Sequence, residues 1–310
     1  MKLANCMVWM IIPLLFSCNP TERRTEIPEE EMFPVKFSLH LEEEVLPFSP
    51  TRGIPPLNIS EPSSAGGEEN DGSPEALCSA IEYIVYKDGE SVPCRNTTFT
   101  REDVDFGQIS DQLPRGGYTF IVVAHNASST ELAGNRMVFD RVTDTFHYTF
   151  PLEIEAGDRI EETVTLYRVV NKTEFVSTDI VPKGAKDFTI QLDKYPCILD
   201  LSTGHGVVAE GNVPLFTYPL TEHAGERGIP HAFYTFVPEG GISLSAKLQT
   251  TDTEGNTLRE RTVENIQPIV NKIIRYKTML YNPSQSDNDF TIVIDEGGEW
   301  DETIENELPD

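Results

Sequence analysis

Between residues 33 and 41, Phe33, Val35, Phe37, Leu39 and Leu41 alternate with Pro34, Lys36, Ser38 and His40. A period of two over nine residues predicts a strand with one buried face. Short β-like segments then recur along the chain: AIEYIVYKDG, YTFIVVAHN from Tyr118 to Asn126, RMVFDRV, TFHYTFPLEI and ETVTLYRVV. Tyr118 to Asn126 is almost continuously apolar, aromatic and β-branched, which predicts a strand buried on both faces. After Asn171 the texture repeats, with candidate strands Lys172–Thr178, Asp187–Leu192, Cys197–Leu201, Ala232–Phe236, Ile242–Gln249, Ile273–Tyr281 and Asp289–Ile294. Turn residues separate them, as in Lys87-Asp88-Gly89, Pro114-Arg115-Gly116-Gly117, Pro238-Glu239-Gly240-Gly241 and Thr253-Glu254-Gly255-Asn256. No stretch of twelve or more residues carries a 3.6-residue apolar period. Many short strands at this spacing predict an all-β protein of two β-sandwich domains, residues 33–165 and 166–297, meeting near 162–170. PRGGYTFIVVAHN and VPEGGISLSAKLQT both run proline, two glycines, then a strand. This is a loose echo between the halves.

The chain begins differently. Lys2 precedes a mostly apolar run, Leu3 to Phe16, that is too short to cross a bilayer as a permanent helix. Ser17 and Cys18 follow. Residues 1–17 resemble a bacterial lipoprotein signal peptide, which is cut before the cysteine. Cys18 would then carry lipid (palmitate) and tether the mature chain outside the cytoplasm, at the cell outer membrane. The alternative is an ordinary secretory signal with an incidental cysteine. Residues 18–32, containing NPTERRTEIPEEE, read as a flexible spacer. Pro47 to Pro74, with SEPSSAGGEENDGSP, reads as a long loop, and residues 298–310 as an acidic tail.

The formal net charge is -27. Removing residues 1–17 takes away Lys2 and no acid, leaving -28 for the mature chain. A surface this acidic repels phosphate backbones and excludes a nucleic-acid partner. It also leaves no polybasic patch for anionic lipid, so Cys18 is the membrane contact. With Cys6 in the signal and Cys18 as the lipid site, three cysteines remain. Cys78 and Cys94 flank the strand Ile81–Tyr86 and its turn and are candidates for a disulfide across a hairpin, leaving Cys197 as a buried apolar residue.

Reactive motifs are missing. The six histidines show no HExxH or HxH spacing, and there is no CxxC, GxSxG, Walker A or GxGxxG after a strand. His205, between Gly204 and Gly206, could approach His223 or His231, but reads as a surface histidine. With 51 acidic residues, a carboxylate pair for glycoside hydrolysis has no diagnostic value. The Asp295–Glu307 segment with Trp300 lacks DxDxDG spacing and reads as solvated rather than calcium-binding. No catalytic residue, cofactor or metal site is expected, and the protein is not expected to be an enzyme.

LLFSC at 14–18, FPVKFSLHL at 33–41 with Thr51-Arg52-Gly53 behind it, LPRGGYTFIVVAHN at 113–126, and Val270-Asn271-Lys272 leading to IIRYKTMLY, FTIVI and Trp300 follow one another in order. In that order the chain resembles the Bacteroidetes-type fimbrillins, subunits of type V pili, and especially their FimB-like minor or anchor branch. The resemblance implies two tandem transthyretin-like sandwiches and a place in a fimbrium, supporting cell adhesion. It implies other fimbrial subunits as partners, bound by strand exchange. In polymerising members a protease cuts after an arginine behind the first strand, whose loss opens a groove; here Arg52 is the matching cleavage position. An anchor would keep its lipid and stay uncut. The chain departs from polymerising members in ending in WDETIENELPD rather than an apolar strand, which favours an anchor or tip role.

The competing reading is a surface glycan-binding lipoprotein. It needs an exposed aromatic platform, for which Tyr83, Tyr86, Tyr218 and Tyr234 are the candidates, although core packing accounts for them equally well. An unrecognised hydrolase is the third reading, and the motif search disfavours it.

Overall fold

Strict alternation at 33–41 becomes a strand whose five apolar side chains all point inward, while Pro34, Lys36 and His40 face outward. The computed structural model describes residues 30–42 and 73–282, and the backbone of 291–295. In chain order the strands are β1 (Met32–Leu41), β2 (Ala80–Lys87), β3 (Arg95–Thr100), β4 (Gln108–Pro114), β5 (Gly116–His125), β6 (Thr130–Ala133), β7 (Arg136–Phe139), β8 (Thr145–Ile154) and β9 (Ile160–Arg168). They continue as β10 (Val170–Ser177), β11 (Ala185–Asp193), β12 (Pro196–Asp200), β13 (Gly206–Val208), β14 (Leu215–Pro219), β15 (Pro230–Phe236), β16 (Leu244–Asp252), β17 (Thr257–Ile266), β18 (Ile273–Thr278) and β19 (Thr291–Asp295). The only helices among the described residues are one turn at Pro74–Leu77 and a 3-10 turn at Thr221–His223. The protein is all-β.

The first half forms a seven-stranded sheet in the order β3-β2-β5-β8-β9-β1-β4. Its two edges are tied together by side chains: Arg95 of β3 donates from Nε to Asp111 of β4 at 2.9 Å and from Nη2 to the Gln112 carbonyl at 2.9 Å. Tyr83 of β2 donates to the same carboxylate at 3.3 Å. The curled sheet encloses one apolar core, with Phe33, Phe37, Leu41, Phe106, Tyr118, Phe120 and Phe146 among its members.

A single residue, Val169, separates β9 from β10, where membership passes to a second set of sheets. These are β15-β10-β18-β19 and β14-β11-β16-β17, four strands each. The small sheet β13-β12-β7-β6 takes two strands from each side of Val169. Its hairpin β6–β7 leaves the first half and pairs with β12 through Met137↔Leu199. The second core therefore includes Ile84, Ile121 and Val123 of the first sheet together with Phe175, Phe188 and Phe236. This explains the unbroken apolar run in β5. Tyr118, Phe120, Val122 and Ala124 face the first core, while Ile121 and Val123 face the second. At Gly206 a Cβ would fall 2.7 Å from Phe236 Cβ, so only glycine lets β13 approach β15 this closely.

Candidate functional site

β1 lies between two strands distant in sequence. It runs antiparallel to β4, from Met32↔Pro114 to Ser38↔Gln108, and parallel to β9, from Val35↔Ile160 to Leu41↔Leu166. Both backbone edges are thus engaged, and the ladder is extended by Leu39 N–H donating to the Gly107 carbonyl at 2.8 Å and Glu42 N–H to Leu166 at 3.0 Å. Inward, Phe37 is fully buried and meets Phe120 and Phe150 edge-on, with centroids 5.3 and 5.5 Å away. Phe33, Val35, Leu39 and Leu41 complete the row, all buried.

Side-chain pairing is sparse by contrast. Among the described residues, the one side-chain hydrogen bond made by β1 is Ser38 Oγ donating to Gln108 Oε1 at 2.9 Å, on the outer face. The start of the strand opens onto a cleft of about 550 Å3 lined by Met32, Lys36, Arg95, Asp111, Arg159 and Glu161. β1 is therefore held by backbone ladder and apolar burial, both of which any strand with the same alternation supplies.

Cys18, Arg52 and the acidic tail with Trp300 lie outside the described residues. The Cys78–Cys94 bridge is a correction: both are free thiols. The hairpin pairs Ala80 with Thr100 and Val85 with Arg95, which puts Cys78 and Cys94 at opposite ends of β2. Eight residues of strand place them on the order of 25 Å apart, against the roughly 4.4–6.8 Å a disulfide requires. Burial pushes the Cys78 thiol pKa up, so it stays protonated and inert. Cys197 is buried, as a leftover cysteine should be.

The four tyrosines proposed as a platform are not one. Tyr83 is buried, and burial and then the neighbouring Asp111 carboxylate push its pKa up, keeping the hydroxyl as a donor. Tyr86 donates to the Gly134 carbonyl at 2.7 Å and Tyr218 to Ala232 at 2.6 Å. Tyr234 packs beside Lys172, with the ammonium 6.0 Å from the ring centroid. The exposed pair is Tyr148 and Tyr167. In the sequence TFHYTF and TLYRVV look like ordinary core strands, which hides this exposure.

His231 is buried. It stacks on Phe188 at 4.3 Å and is hydrogen-bonded to the Tyr281 hydroxyl at 2.7 Å. Burial, then the nearby His223, lowers its pKa to about 3. Among the described residues no group of three or more His, Cys, Asp or Glu side chains is arranged to hold a metal ion.

No family model matches the chain, and no curated protein matches it in sequence. Solved structures do. The chain is similar to a candidate adhesin from Bacteroides ovatus ATCC 8483 at 13% identity and a TM-score of 0.49, covering 76% of this chain and 83% of that one. It is similar to the fimbrial anchor protein Mfa2 from Porphyromonas gingivalis at 12% identity and a TM-score of 0.44, covering 85% and 97%. A fimbrial assembly protein from Parabacteroides distasonis ATCC 8503 aligns at 13% identity with a TM-score of 0.43, covering 90% and 100%. The likeness is one of overall β architecture.

Proposed function

We propose that the chain is a fimbrial subunit of the anchor or minor (tip) kind, non-catalytic, delivered to the outer membrane by lipid at Cys18 and assembling with other subunits by β-strand exchange. The observation that carries this reading is the way β1 is held. A donor strand must reproduce a ladder on both edges and fill five alternating apolar sites, and it need reproduce little else. Burying five large apolar side chains supplies on the order of 10 kcal/mol before ordering costs. That is enough to hold β1 in an intact chain and to drive its replacement in a cut one. Arg52 then decides the fate of the lipid. An uncut chain keeps Cys18 as a permanent anchor, whereas a chain cut there would leave Cys18 with the departing strand.

Expression of the mature chain with and without residues 18–52, followed by unboiled gel electrophoresis and size exclusion, tests the proposal. Heat-labile ladders from the truncated form, or from that form mixed with other fimbrial subunits, are the expected outcome. Monomers in every combination contradict strand exchange.

A further inference from the structure

Among the described residues the seven-stranded sheet is open along one flank. β8 and β9 follow each other through the turn at 155–159, yet they pair only at Phe146↔Arg168 and His147↔Tyr167. From Tyr148 to Ile154, β8 keeps its ladder with β5 and has no strand partner on the β9 side among the described residues. Tyr148 and Phe150 sit opposite Val122 and Phe120 of β5, on the face turned to the first core.

A file of aromatic rings leaves the core through this opening. Phe150 stacks on Phe120 with centroids 5.4 Å apart and an interplanar angle of 11°. Tyr148 stacks on Phe150 at 5.6 Å and 22°, and Tyr167 meets Tyr148 at 5.8 Å and 61°. The file ends at the surface, where Tyr148 is 38% and Tyr167 46% exposed. The hydroxyls of Tyr83, Tyr86, Tyr118, Tyr195, Tyr218 and Tyr281 are all hydrogen-bonded within the protein. Those of Tyr148 and Tyr167 have no hydrogen-bond partner among the described residues. Among the described residues the flank thus presents Tyr148, stacked on Phe150, and Tyr167 meeting it in an open corner, both with unengaged polar tips.

The surroundings select the occupant. An added peptide strand is opposed by Pro151, which stands in the open edge and has no N–H to offer, and by the exposed Glu153 beside it. An anionic ligand is opposed by the net charge of -27. What fits is a neutral molecule with an apolar face for the rings and hydroxyls for their tips. Tyrosine meets such a ligand with large, rigid contact area at low entropic cost.

We infer that Tyr148 and Tyr167 form a binding platform for a neutral saccharide, one pyranose ring lying in the corner between them. The platform does not depend on strand exchange. Its floor, Phe150, is held by Phe37 of β1 in the intact chain.

Ligand-observed saturation-transfer NMR and calorimetry on the full-length protein, with maltohexaose, cellohexaose and mannohexaose as probes, test the inference. At least one hexasaccharide should bind. Tyr148→Ala and Tyr167→Ala should each weaken that binding by about ten-fold or more, while Tyr148→Phe, which keeps the ring, should weaken it less. Tyr86→Phe serves as the control and should change nothing. Unchanged thermal melts establish that the exposed-site variants fold. Absence of saturation transfer from wild type with all three probes overturns the inference, as does binding that both alanine variants leave intact.

Discussion

β1 and β10 occupy equivalent places in the two halves of the molecule. Each runs antiparallel to one neighbour, β4 or β15, and parallel to the other, β9 or β18. Their chemistry is opposite. β1 alternates apolar and polar with a clean period of two, whereas β10, VNKTEFVS, is buried on both faces despite four polar or charged residues in succession. Glu174, fully buried, accepts from Arg275 Nε of β18 at 2.8 Å and lies 2.8 Å from Lys172 Nζ. Asn171 Nδ2 donates to the carbonyls of Ile269 and Lys272, and Arg168, just before β10, makes a two-pronged pair with Asp144 and donates to Asn271. β10 is locked by particular partners at particular distances. Equivalent places in a sheet are thus held in two ways, by specific partners in β10 and by backbone ladder and apolar burial in β1, and the proposed exchange of β1 rests on the second.

The largest effect should come from breaking the specific lock. Glu174→Ala leaves buried cations without their carboxylate and should lower unfolding stability by about 3–5 kcal/mol in denaturant titration. Phe37→Ala in β1 should cost about 3 kcal/mol through the cavity it leaves, but Phe37→Leu about 1 kcal/mol or less, because the site asks only for apolar volume. A leucine variant as damaging as the alanine would erase the contrast between the two strands.

The core of the second half should also carry an acid sensitivity. With its native pKa near 3, His231 stays neutral in the fold while an unfolded chain's histidine takes up a proton below about pH 6.5. Between those values the unfolded state binds more protons, so stability falls as pH falls, by up to about 1.4 kcal/mol per pH unit from this group. His147 of β8, in the first half and also lowered by burial, adds to the effect in the same direction. Stability curves at pH 7 and pH 5 should therefore differ less for His231→Phe than for wild type. The smallest effect belongs to the outward face of β1: Lys36→Ser should stay within about 0.5 kcal/mol of wild type in the same titrations.

Where hydrophobic pattern alone decides the structure, the sequence was readable. β1 and β5 appear at the places their apolar residues indicate, and the two-sided burial of β5 is visible in its continuous run. β17, TLRERTVENI, is hidden because four of the ten residues of this edge strand are charged, with Arg259 buried among them. β3, RNTTFT, and β4, QISDQLP, are half-exposed edges with the same polar disguise. The sheet that β6–β7 shares with β12–β13 left no trace, since pairing across some 60 residues is set by tertiary contact rather than local pattern. At the candidate site the alternation of β1 was legible, but its lack of specific side-chain partners was not. That lack is seen only beside its neighbours. Tyr148 and Tyr167 were hidden for a related reason: their exposure depends on β8 and β9 parting after two residue pairs.

The most direct measurement removes β1 and offers it back. A chain lacking residues 18–52 is titrated with a synthetic Met32–Leu41 peptide, and with a peptide of the same composition whose apolar residues are moved by one position. The first should bind and raise the melting temperature toward that of the intact chain. The second should not, because a one-residue slip turns every apolar side chain to solvent. Equal binding of both peptides, or a truncated chain as stable as the intact one, would contradict the account.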